Sequence, residues 1–380
     1  MYRQKRLAFG LLAVLALTAG QAAAQIEYVI QISVDGGGSS YIQNLINLNQ
    51  LPNFKKMQNE GAWTNNARTD YDYTETLPNH TTMVTARGVF GVGGNGHGWK
   101  DNGTPTTTIH LNKGYYVHSV FDVAHNNGLR TGMYAGKSKF SLFDTSYNAT
   151  NGGVDLIPPD NGKDKLDTYL YLNSNSAGLM TSFTSTMTGP NPLNFAFFHY
   201  TETDGTGHSS GWGSTAYNDA LKTMDGYLGQ MFNMIATDPD LTGKTAIILT
   251  ADHGGTGTGH GTASNALNYT IPFYVWGPGV TAGADLYDLN PLTRLDPGTG
   301  RPVYTATGEG QPIRNGDAVN LALDLLGLDA ILGSTINSAQ DLAVPEPASM
   351  GLLALGGLAL LRRRRSPELA EGLRRRRKAA

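Results

Sequence analysis

Four short segments of the chain contain side chains that could hold metal ions beside a hydroxyl nucleophile. They supply three aspartates, three histidines and one threonine: Asp35, Thr76, Asp204, His208, Asp252, His253 and His260. Carboxylates and neutral imidazoles are the ligands that Zn²⁺ takes where thiolates are unavailable, and the chain has no cysteine. Two such ions about 4 Å apart can stabilise the attacking and leaving oxygens of a phosphoryl transfer. A bound ion also lowers the pKa of a hydroxyl, which makes a threonine a competent nucleophile.

Each of these motifs is weak when it stands alone. An aspartate after a strand is usually a turn residue, and an Asp-His-Gly segment is more often a loop than a ligand pair. The segment at residues 76–79 could simply begin a helix. What favours chemistry is the order of the segments and their common position after predicted strands.

Continuous apolar and β-branched runs predict four buried strands, at residues 28–34, 194–200, 245–250 and 271–276. Three of these runs are followed by Asp35, Asp204 and Asp252. Ligands of open α/β sheets bind beyond the carboxyl ends of the strands, so these side chains should share one site. Helical patterns at 40–47, 214–235 and 316–326 complete an alternation that predicts an α/β layered domain. Residues 148–162 and 289–312 are rich in Gly, Pro, Thr or Asn and are predicted as loops.

Composition excludes several classes of protein. Hydrophobic residues make up 40% of the 380 and charged residues 16%, which is enough apolar material for a core and argues against a disordered chain. The first 24 residues carry three basic side chains, and the last 36 carry nine basic and three acidic ones. Residues 25–344 therefore hold 16 basic and 28 acidic side chains. An acidic body argues against nucleic acid as a stable partner.

The N-terminus has the pattern of a secretory signal peptide over residues 1–24. Basic residues at positions 3, 5 and 6 precede an apolar stretch at 7–17, and alanines at 22–24 form a cleavage site. A membrane anchor is the alternative interpretation, but the apolar stretch is short for a span. We therefore expect an exported protein.

The C-terminus carries a second sorting pattern over residues 343–365. Pro345-Glu346-Pro347 precedes an apolar run at 350–361, and four arginines follow at 362–365. This order resembles the PEP-CTERM sorting signal of Gram-negative bacteria. The resemblance implies transient insertion in the inner membrane and processing by an exosortase-type enzyme. It places the mature protein in the periplasm, on the outer surface or in the extracellular matrix. A plain membrane tail is the alternative, and the basic tail at 366–380 has no explanation in this pattern.

The segments that carry the chemistry resemble, in this order, the alkaline phosphatase superfamily, and most closely its nucleotide pyrophosphatase and type I phosphodiesterase branch. The resemblance covers roughly residues 28–328. It implies a three-layer α/β fold over residues 25–342, with a mostly parallel central sheet flanked by helices. It also implies two Zn²⁺ ions, for which Mn²⁺ is the alternative. The ligands would be Asp204, His208 and His260 for one ion, and Asp35, Asp252, His253 and the Thr76 oxygen for the other.

By the same resemblance, Thr76 would attack phosphorus to form a phosphothreonine that water hydrolyses, and Asn79 would donate a hydrogen bond to a phosphoryl oxygen. The substrate would be a small phosphate ester. Cleavage of a diester or pyrophosphate is favoured over that of a monoester, because no arginine lies near Thr76 in the sequence.

The sequence departs from the family pattern at Glu75, where a basic residue is expected, and at His260, which follows the Asp-His pair closely. Two alternatives stay open: a phosphomonoesterase of the same superfamily, and an inactive scaffold associated with the cell surface or exopolysaccharide. Five further histidines have no partner pattern and are predicted to be structural or at the surface: His80, His110, His118, His125 and His199.

Overall fold

The computed structural model describes residues 25–155, 164–305 and 310–344. The predicted signal peptide, the basic tail and all but the first two residues of the predicted sorting segment lie outside these ranges. Within the described residues, no helix is both long enough and apolar enough to cross a membrane.

In the part of the chain that the structure describes, eight strands form one sheet in the order β4-β3-β5-β1-β6-β7-β2-β8. Their bounds are β1 Tyr28–Val34, β2 Ala62–Arg68, β3 Thr131–Ala135, β4 Thr168–Tyr171, β5 Phe195–Tyr200, β6 Thr245–Thr250, β7 Thr270–Trp276 and β8 Ala284–Asp285. The first five strands in this order are parallel to one another, and β7 is antiparallel to both β6 and β2. The sheet is therefore mostly parallel, with β1 near its centre.

Helices cover both faces of the sheet. They are α1 Ser39–Asn47, α2 Pro52–Glu60, α3 Thr76–Thr85, α4 Ile109–Lys113, α5 Val120–Asn126, α6 Ser141–Tyr147, α7 Ser176–Met187, α8 Glu202–Ser210, α9 Thr215–Thr237, α10 Ala266–Tyr269, α11 Leu286–Leu289 and α12 Asp317–Leu325. One apolar core packs α3, α5 and α12 against the sheet, and a second packs α1, α2, α7 and α9 against the other face. The predicted three-layer α/β fold is confirmed.

Side chains along β1 point alternately to the two helical layers. Ile30, Ile32 and Val34 enter the core that contains α9. Gln31 and Ser33 point to the other face, where Nε2 of Gln31 lies 3.4 Å from the carbonyl of Met83 in α3. Successive side chains of a strand point to opposite faces, so the polar pair faces α3, the helix that carries the predicted nucleophile.

The four predicted strands and three predicted helices are all present, with ends within two residues of the predicted positions. The fourth predicted strand, β7, runs antiparallel to its neighbours. Three short strands and β2 were not predicted. β2 is polar, with adjacent asparagines, and its pairing with β7 shifts register between Thr64 and Ala67, so it has no clean alternation to recognise.

Candidate metal centre and active site

Three neighbouring strands bring the predicted carboxylates to one edge of the sheet. β1 lies between β5 and β6 and is parallel to both, so their carboxyl ends meet. Asp35 follows β1 directly, and Asp252 is the second residue after β6. Asp204 lies in the first turn of α8, which begins just after β5. The topology therefore gathers the three carboxylates at one place.

The six predicted ligands other than Thr76 form two groups. The ligand atoms of Asp204, His208 and His260 all lie within 4.8 Å of one another. The same holds for the group of Asp35, Asp252 and His253, and the rings of His253 and His260 stack with centroids 3.6 Å apart. The groups coincide with the two sets predicted for two ions, and their occupation by metal stays a prediction.

In each of the three histidines, one ring nitrogen is hydrogen-bonded to a backbone carbonyl. The Nδ1 pairs are His208 with Thr258 at 3.0 Å, His253 with Gly254 at 2.8 Å and His260 with Thr74 at 2.5 Å. A carbonyl can only accept, so the proton of each neutral ring lies on Nδ1. The Nε2 lone pairs are therefore free to bind a cation, which is the second-sphere arrangement typical of metal-binding histidines.

The centre contains acceptor atoms that have no donor. Four of them are buried and have no hydrogen-bond partner among the described residues: Oδ1 of Asp35, Oδ1 of Asp204, Oδ2 of Asp252 and Nε2 of His253. In addition, the Nε2 atoms of His208 and His260 lie 3.1 Å apart. Buried polar atoms without partners cost about 1–3 kcal/mol each, and facing lone pairs repel. Divalent cations would satisfy all of these atoms, so the donor set fits a metal centre.

The pKa shifts of the side chains in this centre also favour a bound cation. Burial and the neighbouring carboxylate of Asp35 raise the pKa of Asp252 well above its ordinary value. A second negative charge at this position is thus unfavourable unless positive charge balances it. Burial lowers the pKa of both His253 and His260. Both rings therefore stay in the neutral form that binds metal over a wider range of pH.

Thr76 is the first residue of α3, and the extended backbone of Glu75 precedes it. The backbone amide of Leu77 donates to Oδ1 of Asn102 at 2.9 Å, so the side chain of Asn102 lies beside the start of the helix. The amino end of a ten-residue helix carries partial positive charge and attracts anions. The Thr76 hydroxyl therefore lies where a phosphoryl group would be drawn.

The structure fixes the side chain of Asn79 more tightly than the sequence suggested. Its Nδ2 donates to the carbonyls of Tyr73 and Glu75, at 2.8 Å and 3.1 Å. Its Oδ1 accepts from the amide of Asp70 at 2.8 Å and from Nδ2 of Asn315 at 2.9 Å. Contact between Asn79 and a phosphoryl oxygen would require the loss of one of these bonds, and this role stays a prediction.

Lys137 belongs to the site and was missed by the sequence reasoning. Its Nζ lies 2.6 Å from Oδ2 of Asp35, 2.6 Å from Oδ2 of Asp204 and 3.4 Å from Oγ1 of Thr76. Burial would lower the pKa of Lys137, but the two carboxylates outweigh burial and raise this pKa above its ordinary value. The ammonium is therefore charged. It follows the five-residue strand β3, which is too short to predict from an apolar run.

Two of the histidines predicted to be structural or at the surface lie against the same centre. Nε2 of His199 is 2.8 Å from Oδ2 of Asp35, and Nδ1 of His80 is 3.5 Å from Oδ2 of Asp252. His199 lies within the buried run of β5, where a polar side chain needs a partner. That position was the signal available in the sequence.

The other three histidines pack elsewhere, as predicted. His110 stacks on Tyr116 with ring centroids 4.1 Å apart, and His118 meets the same ring at 4.9 Å. His125 lies 3.6 Å from the carboxylate of Asp167. None of the three belongs to either group of ligands.

Residues 343–365 match the PEP-CTERM protein-sorting motif. This motif marks an exported protein that an exosortase processes. The prediction from the Pro-Glu-Pro segment is thus confirmed for sorting and export, while the apolar run itself lies outside the described residues.

Solved structures share the fold at low sequence identity. An inactive form of murine ectonucleotide pyrophosphatase/phosphodiesterase 5, in complex with AMP, is 15% identical, with a TM-score of 0.55 over 80% of this chain and 96% of that chain. Wild-type alkaline phosphatase PafA is 13% identical, with a TM-score of 0.56 over 85% of this chain and 99% of that chain. These similarities show an alkaline phosphatase-like fold, as predicted.

Sequence comparison gives the family. A relative from Mus musculus, ectonucleotide pyrophosphatase/phosphodiesterase family member 3, is 31% identical over 238 residues, which are 60% of this chain. The chain spans 24% of the length of that relative. The family model for type I phosphodiesterase / nucleotide pyrophosphatase matches residues 29–273, which include every predicted site residue. The chain therefore belongs to the type I phosphodiesterase / nucleotide pyrophosphatase family, whose members hydrolyse phosphoester bonds.

Proposed function

We propose that this chain hydrolyses phosphodiester or pyrophosphate bonds of small substrates, with Thr76 as nucleophile and two Zn²⁺ ions as cofactors. The two ligand groups described above would hold the ions, with the Thr76 oxygen completing the group of Asp35, Asp252 and His253. The observation that carries the proposal is the convergence of unpaired buried acceptors around Lys137, whose Nζ also lies 3.4 Å from this hydroxyl. Nitrogen and oxygen donors without thiolates suit Zn²⁺, and Mn²⁺ is the alternative ion.

When bound, the ions supply positive charge that lowers the pKa of a hydroxyl and balances charge on the phosphoryl group. Oγ1 of Thr76 would form a bond to phosphorus while the bond from phosphorus to the leaving oxygen breaks. The leaving oxygen keeps the electron pair and takes up a proton from water, which replaces the proton that Thr76 releases. A water molecule then cleaves the phosphothreonine and restores the hydroxyl. Lys137, 3.4 Å from Oγ1, would hold negative charge at this position.

Turnover of a nitrophenyl phosphodiester with added Zn²⁺ tests the proposal. Thr76→Ala should lower kcat at least 10³-fold, because loss of a nucleophile removes the covalent route, while Thr76→Ser should keep part of the activity. Thr85→Ala, at the other end of the same helix, is the matched control and should keep wild-type turnover. Equal rates for wild type and Thr76→Ala would refute the nucleophile. Absence of turnover with either Zn²⁺ or Mn²⁺ would favour the inactive scaffold.

A phosphomonoesterase is the second candidate, and Lys137 favours it. The preference for diesters rested on the lack of an arginine near Thr76, but the structure places an ammonium there. Nζ of Lys139 lies 3.1 Å from Oδ1 of Asn102, which contacts the start of α3. A monoester carries up to two negative charges at the phosphoryl group, and two ammonium groups would stabilise them. Side-by-side assays of nitrophenyl monoester and diester substrates decide between the two.

The sorting motif also leads to a proposal about location. We propose that the C-terminal apolar run inserts transiently in the inner membrane before processing, and that the mature protein stays in the periplasm, on the outer surface or in the extracellular matrix. Fractionation of cells that express the full chain, or a chain ending at residue 344, tests this. The full chain should pass through a membrane fraction and the shortened chain should not. Identical fractionation would refute the role of the segment.

A further inference from the structure

Trp212 lies behind the Asp204–His208–His260 group, in the turn between α8 and α9. Its side chain is 7% exposed, and its backbone amide donates to the carbonyl of Gly257 at 2.8 Å. The indole Nε1 donates to the carbonyl of Gly36 at 2.9 Å. One residue thus connects the turn after α8 with the loops that follow β1 and β6.

Three glycines surround the indole; a Cβ at Gly207 or Gly255 would collide with it, and one at Gly36 would be crowded against it. A Cβ at Gly207 would lie 2.7 Å from the ring, and one at Gly36 would lie 3.2 Å from it. A Cβ at Gly255 would overlap the ring outright. Interiors are close-packed, so a site in which three backbones touch one ring admits no larger neighbour.

Each of these glycines lies within two residues of a predicted metal ligand. Gly36 follows Asp35 directly, and Gly207 directly precedes His208. Gly255 comes two residues after His253, on the loop that continues to His260. The thickness of the indole therefore sets how closely the three ligand-bearing segments approach one another.

The indole also touches two of the ligands themselves. Its ring meets His208 edge to face, with centroids 5.2 Å apart, and meets His260 in the same way at 5.7 Å. Such edge-to-face contacts orient aromatic rings and contribute about 0.5–1.5 kcal/mol each. With Nδ1 bound to a backbone carbonyl in both imidazoles, the indole contact fixes the remaining freedom of each ring.

Tyr217 packs against the indole, and Tyr41 packs against Tyr217. The hydroxyl of Tyr217 donates to the same carbonyl of Gly36 at 2.8 Å, and its ring lies 6.1 Å from the indole. The hydroxyl of Tyr41 donates to the carbonyl of Gly255 at 3.1 Å. The three aromatic side chains thus hydrogen-bond to the backbones of the loops after β1 and β6, and the indole also contacts the rings of His208 and His260.

We infer that Trp212 is a positioning residue of the Asp204–His208–His260 group: it holds the loops after β1 and β6 and the end of α8 at the spacing that this ion site requires. The inference rests on the proposed function, because it takes this group to bind a metal ion. The indole meets two ligand rings of this group, whereas it reaches the segments of Asp35 and His253 at the backbones of Gly36 and Gly255. The group of Asp35, Asp252 and His253 should therefore depend on it less.

The test measures metal affinity in the purified chain. Zinc content after competition with a chelator, and the visible absorption of the cobalt-substituted protein, are compared for wild type, Trp212→Phe, Gly255→Ala and Trp276→Phe. Trp276 is the matched control: its Nε1 also donates a hydrogen bond, to Glu60 at 3.2 Å, but it pairs with Ile247 near the opposite edge of the sheet. Thermal melts in excess chelator report the stability of each variant without metal.

Trp212→Phe and Gly255→Ala should each lower the affinity of the Asp204–His208–His260 group for its ion at least tenfold and change the cobalt spectrum, while the affinity of the other group changes less than threefold. Trp276→Phe should retain both ions. Wild-type affinity for both ions in Trp212→Phe, or equal weakening in Trp276→Phe at a matched melting temperature, would overturn the inference and leave the proposed function intact. A wild-type chain that binds no zinc would overturn the proposed function and the inference together. Should Trp212→Phe not fold, Gly255→Ala decides.

Discussion

His199 donates its Nε2 proton to Oδ2 of Asp35 over 2.8 Å, and the backbone fixes the direction of this bond. The amide of Gly136 donates to Nδ1 of the same ring at 3.1 Å, so Nδ1 has no proton and Nε2 must carry it. Nζ of Lys137 contacts the same Oδ2 at 2.6 Å. Two donors therefore occupy one oxygen of Asp35, and its Oδ1 is left for a cation.

Removal of the His199 proton donor should weaken binding of the ion that we propose at Asp35. His199→Phe keeps an aromatic ring against Phe140, which stacks on it at 4.1 Å, but it cannot donate. We expect a loss of about 10- to 100-fold in metal affinity, the usual effect of losing an outer partner of a ligand. His199→Gln retains a donor and should lose less. Chelator competition measures both, and equal affinities in the two variants would show that the hydrogen bond has no role.

Lys137 should distinguish substrates by charge. Lys137→Met preserves most of the side-chain length and removes the ammonium that lies 3.4 Å from Oγ1 of Thr76. Loss of one group that stabilises phosphoryl charge costs about 10²–10³-fold in kcat. The loss should be larger for a nitrophenyl monoester than for the diester, because the monoester carries more charge. Lys222→Met, at an exposed position on α9, is the control. A parallel fall for both esters would show that Lys137 does not select between them.

Much of the site could be predicted because its ligands follow long apolar strands. β5 and β6 are buried along their whole lengths and β1 from its second residue onward, so their runs are clear in the sequence. The residues after such runs meet wherever the strands are parallel neighbours, as these three are. This rule and the family resemblance together predicted the two ligand groups, one containing Asp35 and the other Asp204.

The rest depends on features that a sequence pattern does not contain. Lys137 follows a five-residue strand, and its long side chain reaches two carboxylates that are distant in sequence. The place of His199 is set by register, since Ser33 pairs with it in the neighbouring strand. The indole of Trp212 lies against the backbones of three glycines. A contact with backbone leaves no pattern of residue types that could be recognised in the sequence.

Removal of metal should lower the thermal stability of the folded chain. A ligand present at a thousand times its Kd stabilises the native state by about 4 kcal/mol. We therefore expect zinc to raise the melting temperature by several degrees over a chelator-treated sample. His260→Ala should lose much of this zinc-dependent rise, whereas His110→Ala, which packs on Tyr116, should retain it. Calorimetry measures the rise, and its absence in wild type would argue against a resident ion.

The burial of His97, which is not one of the predicted metal ligands, leads us to expect that stability depends on pH. The ring is fully buried beneath α3, where Nδ1 accepts from the amide of Trp99 at 3.0 Å and Nε2 lies 3.1 Å from Oγ1 of Thr82. Burial, and next the positive charge of Lys113, lower the pKa of His97 from its ordinary 6.5 to about 3. The native ring therefore stays neutral at pH values where the same ring in the unfolded chain takes up a proton.

The sign of the effect follows from that difference. Above pH 6.5 the ring is neutral in both states and His97 adds no pH dependence, whereas between pH 6.5 and about 3 only the unfolded state is protonated. The free energy of unfolding should thus fall with decreasing pH by up to about 1.4 kcal/mol per unit from this group alone. His97→Gln removes the titrating ring, so its stability should fall less steeply between pH 6 and pH 5. Urea unfolding at these pH values, in chelator, measures both slopes. Other buried histidines titrate equally in both proteins, so parallel slopes would mean that native His97 accepts a proton in this range.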